Sequence, residues 1–169
     1  MTTVTTVPID VYLRSVYEPD AEYVDGEIQE RCAGEYDHAS WQAALLEYFA
    51  GHKKDWNIRA LPELRVQVAA TRFRIPDVTV LDRERPIEQV ITQSPLAAFE
   101  ILSPEDTVAR TLEKLIDYER MGIAGIFVID PKSAVKYRFQ AGALLALADD
   151  PISIGRLTID FQAVEALLD

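Results

Sequence analysis

The segment 96–102 constrains the fold most strongly, because it is an apolar run interrupted by one acidic residue, Glu100. A short apolar run bounded by turn residues predicts a central strand that is buried on both faces. An ionised carboxylate left unpaired there costs on the order of several kcal/mol, so Glu100 requires a cation, a metal ion or a proton. The pattern alone leaves two other possibilities open: a Glu on an exposed strand face, and a Glu paired with an arginine.

Asp77 is the second acidic residue of interest, and it follows Ile75-Pro76 in another extended segment. Strand alternation places Asp77 and Thr79 on one face and Val78 on the other. Pro76 cannot donate to a ladder and marks a strand start, an edge or a bulge, beside which a polar residue is common. Together, Asp77 and Glu100 predict more than either does alone, because neighbouring strands can bring two carboxylates to one hard cation such as Mg²⁺.

The other patterns predict a mixture of helices and strands. Helices are expected over residues 9–16, 38–50, 107–121 and 161–168, with Asp37 as the N-cap of the second. A hairpin is expected over 22–29 around Asp25-Gly26, and further strands over 63–69, 72–81, 96–102, 123–129, 135–139, 143–147 and 157–159. This order predicts an α/β or α+β fold, with a mixed β-sheet flanked by helices, and a single domain over residues 1–169.

Composition excludes several classes of protein. The hydrophobic fraction of 49% and the charged fraction of 27% are those of a globular chain. The apolar stretches are far shorter than the roughly 20 residues of a membrane-spanning helix, and the first residues do not have the pattern of a secretory signal. With Cys32 as its one cysteine, the chain cannot form an internal disulfide or a cysteine-based zinc site, and a cytoplasmic location is expected.

The net charge of −11 argues against binding to a phosphate backbone, since nucleic-acid-binding proteins usually present a basic patch. Net charge is a sum over the whole chain, however, whereas binding depends on how the charge is distributed. Basic residues do gather in one part of the sequence: Arg59, Arg65, Arg72, Arg74, Arg83 and Arg85.

Three motifs in a fixed order resemble a known family. They are Pro76-Asp77, the run FEILSP around Glu100, and Lys114 in the run EKLIDY. This order resembles a bacterial family of restriction-endonuclease-like proteins within the PD-(D/E)XK nuclease superfamily, which was long classed as a domain of unknown function. The resemblance extends over residues 8–140 and includes the run YVDGEI at 23–28, His38, Gly122 and the run VIDP at 128–131.

The resemblance implies a restriction-endonuclease-like core in which Asp77 and Glu100 bind Mg²⁺ or Mn²⁺ from neighbouring strands. In most of the superfamily a lysine follows the second acid by two residues, but that position is Leu102 here. The resemblance therefore assigns the lysine to the following helix, at Lys114. From the residues alone, Lys114 could equally be a solvated lysine near Asp117.

Three further positions follow from the same resemblance. Glu27 matches a family position and is expected either as a third carboxylate near the metal or as an ordinary strand-end acid. His38 matches another, and it either tunes the site or simply occupies the first turn of a helix. Family members often have an acidic residue before the lysine, where this chain has Arg110.

The resemblance implies a metal-dependent endonuclease that hydrolyses DNA phosphodiester bonds, and a homodimer is expected. One alternative is a catalytically degenerate nuclease fold that acts as a nucleic-acid or protein interaction module, which the negative net charge favours. Another is a structural or regulatory protein that dimerises through a hydrophobic surface. The sequence has no glycine-rich phosphate loop and no Gly-x-Ser-x-Gly elbow, and the spacing of its two histidines does not match the zinc-protease pattern.

Overall fold

The computed structural model describes residues 6–32 and 34–168, which form four helices and twelve strands. In chain order these are α1 (Ile9–Arg14), β1 (Ala21–Val24), β2 (Glu27–Glu30), α2 (Tyr36–Gly51), β3 (Ile58–Pro62), β4 (Val66–Ala69), β5 (Arg72–Arg74), β6 (Val78–Asp82), β7 (Ala97–Ile101), α3 (Val108–Met121), β8 (Gly125–Asp130), β9 (Val135–Gln140), β10 (Ala143–Ala146), β11 (Ile152–Ile154), β12 (Leu157–Ile159) and α4 (Phe161–Glu165).

A six-stranded sheet in the order β10-β9-β8-β7-β6-β3 forms the centre of the protein. Strands β7 and β8 are parallel and are connected through α3, whereas the other neighbouring strands of this sheet are antiparallel. A parallel pair requires a crossover connection, which α3 provides. The sheet is therefore mixed and flanked by helices, which confirms the predicted fold class.

The two faces of this sheet have separate hydrophobic cores. Val78, Phe99 and Phe127 belong to the core on one face, which also contains residues of α2 and α4. On the opposite face, Ala98 packs in a core with Leu115 and other residues of α3. Because side chains alternate along a strand, Glu100 lies on the same face of β7 as Ala98. The predicted acidic residue of the central strand therefore faces α3.

A four-stranded sheet in the order β2-β1-β5-β4 lies beside α3. Strands β1 and β2 form the predicted hairpin, and its turn residues Asp25 and Gly26 have φ values of 50° and 100°. Positive φ at both positions is typical of a type I′ turn, which twists in the same sense as the strands. Gly26 is also required sterically, because a Cβ at this position would lie 2.9 Å from Thr6.

The single strand predicted over 72–81 was wrong, because β5 ends at Arg74 and β6 begins at Val78. The two strands belong to different sheets, and the residues between them connect the sheets. Pro76 has no N–H to donate to a ladder, which favours a break in pairing at this point. The crossing places Asp77 where the two sheets meet.

The predicted start of α2 was also wrong. The helix begins at Tyr36 with Glu35 as its N-cap, and the predicted cap, Asp37, lies in the first turn, where a negative charge is favourable. Strands β3 and β11 were not predicted, and α4 ends at Glu165 rather than at 168. None of the described helices is long and apolar enough to cross a membrane.

Candidate active site

Asp77 and Glu100 come together because β6 and β7 are antiparallel neighbours. Val78 pairs with Phe99, so Asp77, one residue earlier, lies opposite Glu100. The Oδ2 atom of Asp77 accepts a hydrogen bond of 2.7 Å from the backbone N–H of Ile101, which fixes the carboxylate against β7. Asp77 is 3% exposed and Glu100 is 7% exposed. The structure thus brings the two predicted acids into one buried site.

Helix α3 supplies the partners of Glu100. The Nζ atom of Lys114 lies 2.6 Å from Oε2 of Glu100, and the Tyr118 hydroxyl donates a hydrogen bond of 2.5 Å to Oε1. Lys114 and Tyr118 are four residues apart, so they share one face of the helix. Both oxygens of Glu100 therefore have partners, as a buried carboxylate requires.

Asp77 is held by residues from the segment that leads into α2 and from α2 itself. The Nη2 atom of Arg31 donates a hydrogen bond of 2.5 Å to Oδ1 of Asp77, and Nε2 of His38 lies 3.3 Å from the same oxygen. Gln42, one turn after His38, donates a hydrogen bond of 2.9 Å to the backbone carbonyl of Asp77. The structure thus places His38 at the candidate site, whereas Arg31 was not predicted to belong to it.

The two carboxylates differ in their affinity for protons. Burial alone would raise the pKa of Asp77, but the hydrogen bond from His38 and the charges of Arg31 and Lys114 hold that pKa below its ordinary value. Burial raises the pKa of Glu100 to about 7, although the charge of Lys114 opposes the shift. The hydrogen bond to Asp77 raises the pKa of His38. Near neutral pH, Asp77 is therefore ionised, whereas Glu100 is present in both its protonated and its ionised form.

Glu22 is a third carboxylate in this cluster and was not predicted to belong to it. Its Oε1 atom lies 3.2 Å from Nζ of Lys114, and its Oε2 atom accepts a hydrogen bond of 3.0 Å from Arg74. Arg74 is fully buried and also contacts Asp117 of α3 at 2.8 Å. The signal was the one used for Glu100, namely an acidic residue with apolar neighbours in a short strand.

Glu27, in contrast, is not brought to the cluster. It lies at the start of β2 opposite Val24, and its side chain is exposed. Glu22, on the first strand of the same hairpin, is instead buried and contacts Lys114 of α3. Of the five predicted site residues, the structure gathers four: Asp77, Glu100, Lys114 and His38.

We expect Glu22→Gln to destabilise the protein and Glu27→Gln to leave its stability unchanged. The first substitution weakens the buried contacts to Lys114 and Arg74, at a cost on the order of 1–3 kcal/mol. The second changes an exposed side chain and should stay within about 0.5 kcal/mol. Because the pKa of Glu22 is held below its ordinary value of 4.5, its stabilising effect is fully present above that pH and is lost as the pH falls through the lowered pKa. Urea denaturation of both variants is the measurement, and equal losses would contradict this placement.

A cavity of about 30 Å³ lies among these residues. This volume exceeds the roughly 10–15 Å³ that a water molecule requires. The cationic or protonatable side chains in its lining are Arg31, His38, Arg110 and Lys114, and the acidic ones are Asp77, Glu100 and Asp106. The cavity is thus not acidic overall, even though the whole chain carries a net charge of −11.

The chemistry of the cavity fits a hard divalent cation. Within residues 6–32 and 34–168, no group of three or more His, Cys, Asp or Glu side chains is arranged to hold a metal ion. Mg²⁺ in proteins is usually held by one or two carboxylates and several waters, however, and Asp77 and Glu100 supply two carboxylates. Each carboxylate oxygen has two lone pairs, so an oxygen that accepts one hydrogen bond can still bind a cation.

The overall structure is similar to a solved one. A crystal structure described as a "putative nuclease belonging to DUF820", from Anabaena variabilis ATCC 29413, superposes with a TM-score of 0.81 at 19% sequence identity. The match covers 96% of this chain and 99% of that chain, and at this identity it establishes the fold alone. A chain of the DrdV–DNA complex solved by electron cryo-microscopy matches with a TM-score of 0.43 and 17% identity, over 75% of this chain and 10% of that one, too low a score to support an argument. No curated protein matches significantly.

The sequence also matches a protein-family model. The Uma2 model, described as "Putative restriction endonuclease", matches residues 11–152, which include Asp77, Glu100, Lys114 and His38. The match spans well over half of the chain and confirms the predicted resemblance to restriction-endonuclease-like proteins. The chain therefore belongs to the Uma2 family.

Proposed function

We propose that this protein is an endonuclease that hydrolyses DNA phosphodiester bonds and depends on Mg²⁺ or Mn²⁺. One observation carries the proposal: Asp77 and Glu100 from neighbouring strands and Lys114 from α3 converge on one polar cavity. Membership in a family described as "Putative restriction endonuclease" supports the same chemistry. Hydrolysis of a phosphodiester requires an activated water and stabilisation of developing negative charge, which this set of groups can supply.

In this proposal Asp77 and Glu100 hold the divalent cation. When bound, the cation would polarise the phosphoryl group and lower the pKa of a water molecule. Lys114 places a fixed positive charge beside Glu100, where it can orient the attacking water or stabilise charge on the phosphoryl oxygens. His38 and Tyr118 position the two carboxylates through their hydrogen bonds.

We expect Mn²⁺ affinity to fall as the pH drops below about 7. Because the pKa of Glu100 is raised to about 7, its carboxyl group takes up a proton there and loses its ability to bind a cation. Each further pH unit should then weaken binding by about tenfold. Isothermal titration across this pH range measures the effect, with Glu100→Gln as the control that should bind weakly at every pH. A wild-type affinity that does not change with pH would contradict the assignment of Glu100.

The activity itself is tested by incubating the wild-type protein with supercoiled plasmid, linear duplex, single-stranded DNA and RNA, each with Mn²⁺, with Mg²⁺ and with EDTA. The proposal predicts internal cleavage of DNA with the metals and none with EDTA. If none of the DNA substrates is cleaved, the proposed endonuclease activity is rejected. Metal-dependent cleavage of RNA alone would support the metal site and reject DNA as the substrate.

One observation favours a second candidate function, a non-catalytic nucleic-acid or protein interaction module. Arg31 forms an ion pair with Asp77 and thus occupies one oxygen that a metal would use. If that pair is permanent, the fold is retained without metal binding. Titration with Mn²⁺ separates the two candidates, because the non-catalytic module would show no saturable binding that depends on Asp77 and Glu100.

A homodimer is also part of the proposal. Two copies of a site that cuts one strand can cut both strands of a duplex in one binding event, and two-fold dimers are the commonest assembly. The edge strand β10 exposes Leu144 and Leu145, which supports a contact surface for a second copy. Light scattering after size-exclusion chromatography gives the mass, and a purely monomeric mass at all concentrations would reject the dimer.

A further inference from the structure

Arg110 is a cation beside the candidate active site that the proposed chemistry does not use. It lies in the first turn of α3, four residues before Lys114, so the two side chains share one face of the helix. Both line the cavity that contains Asp77 and Glu100. Arg110 therefore lies at the same cavity as the residues of the proposed active site.

Arg110 has no carboxylate partner among the residues that the structure describes. Its Nη2 atom donates a hydrogen bond of 2.6 Å to the backbone carbonyl of Glu30 in β2. A guanidinium group has five N–H donors, so most of them remain available. The side chain is partly buried, and it gives up hydration without gaining an ion pair. An anion that binds here would offset that loss.

Arg31 is the second guanidinium group at the same place. Its Nη2 atom donates a hydrogen bond to Asp77, and its Nη1 atom lies 3.6 Å from Glu63, which is exposed. Arg31 and Arg110 both line the cavity, and both also line a wide groove of about 870 Å³ between β2 and the start of α3. The two arginines thus lie where the groove opens into the cavity.

We propose that Arg31 and Arg110 form a phosphate-binding subsite that holds a backbone phosphate of a nucleic-acid strand running from the groove into the cavity. This inference rests on the proposed function, because a strand is cleaved in the cavity only if its phosphates can approach the carboxylates. Arginine suits this role because its planar donor fork matches the oxygens of a phosphate. Glu30, Glu105 and Glu113 line the same groove, so a phosphate there meets like charge except beside the two arginines.

Arg110→Gln is the variant that tests the subsite, because Arg31 also holds Asp77 and its loss would disturb the candidate metal site. Arg120→Gln is the matched control, since it removes the same charge from the exposed last turn of the same helix. Arg110→Lys retains the charge and tests whether charge alone suffices. Thermal denaturation of each variant confirms that it is folded.

The measurement is the affinity for a short labelled duplex by fluorescence anisotropy, in EDTA and over a range of salt concentrations. Loss of one phosphate contact should weaken binding by about tenfold and lower the slope of log K against log salt by about 0.9. We expect this change in Arg110→Gln, an unchanged slope in Arg120→Gln and a largely retained slope in Arg110→Lys. Equal effects in the two glutamine variants, or no binding by the wild type, would overturn the subsite.

The outcomes also separate this inference from the proposed function. Binding that depends on Arg110, without cleavage in Mn²⁺, supports the subsite and rejects the nuclease. Cleavage that depends on Asp77, with an Arg110→Gln variant that binds DNA as the wild type does, supports the nuclease and overturns the subsite.

Discussion

Asp77→Asn should reduce Mn²⁺-dependent DNA cleavage by at least about 10²-fold, as expected for the loss of a key electrostatic group. Asparagine keeps the volume of aspartate and can still accept the hydrogen bond from Ile101. It also removes the charged partner of Arg31 and His38, so thermal denaturation must show that the variant is folded. It removes the negative charge that would bind the cation at the proposed site, and the heat of Mn²⁺ binding should disappear together with cleavage. The loss of both readouts distinguishes a metal ligand from a residue that only touches the substrate.

The control for this prediction is Asp55→Asn, which removes one carboxylate from an exposed turn. It lowers the net negative charge by the same amount and should cleave and bind Mn²⁺ as the wild type does. Undiminished cleavage by Asp77→Asn would reject Asp77 as a ligand. A similar loss in both variants would point to an effect of total charge.

Lys114→Met should also reduce cleavage by at least about 10²-fold, but it should leave Mn²⁺ binding intact. Methionine retains the unbranched shape of lysine and removes the amine that lies between Glu22 and Glu100. Without that charge the pKa of Glu100 should rise further, because Lys114 is the main influence that lowers it. Binding of Mn²⁺ must therefore be measured well above neutral pH, where Glu100 is ionised.

This substitution also has an expected structural cost. Removing one member of a buried ion pair typically destabilises a protein by roughly 3–5 kcal/mol. Urea denaturation gives the loss of stability, and the cleavage assay must be run where the variant remains folded. Lys53→Met, on the exposed turn after α2, is the control for loss of a lysine. Full cleavage by a folded Lys114→Met variant would reject the proposed role of the amine.

The prediction of the central strand succeeded because the run 96–102 is short, apolar and bounded by turn residues. The need for a partner followed from Glu100, the one acidic residue in that run. Burial did not predict a role for Asp77 in the same way, because a polar residue beside a strand-end proline is common. Its position opposite Glu100 depends on strand pairing, which the residues do not specify. Lys114 could not be selected from helical spacing, because a lysine on a partly exposed face is usually solvated. It was selected through the family resemblance, and its contact of 2.6 Å with Glu100 agrees with that expectation.

Other parts of the site could not be predicted because they depend on long-range packing. Arg31 and Asp77 are 46 residues apart, and no local pattern brings them together. Glu27 and Glu22 lie on the same hairpin, and only its packing against α3 decides which of them is buried. The choice of Glu27 followed a matching motif, whereas burial favoured Glu22.

The net charge of −11 does not describe the charge at the cavity. Several acids are used in buried ion pairs: Glu22 and Asp117 both contact Arg74, which is fully buried. The arginine largely cancels the negative potential that these carboxylates would otherwise produce at the cavity. The local balance of the lining residues decides whether a phosphate can approach.

The most direct test of a metal site at Asp77 and Glu100 is a crystal structure of the wild-type protein soaked in Mn²⁺, with anomalous scattering recorded to locate the ion. We expect one anomalous peak in the small cavity, with oxygens of both Asp77 and Glu100 as ligands and Arg31 displaced from at least part of its contact with Asp77. No peak at this position, or a peak held by other residues while the ion pair between Arg31 and Asp77 stays intact, would contradict it.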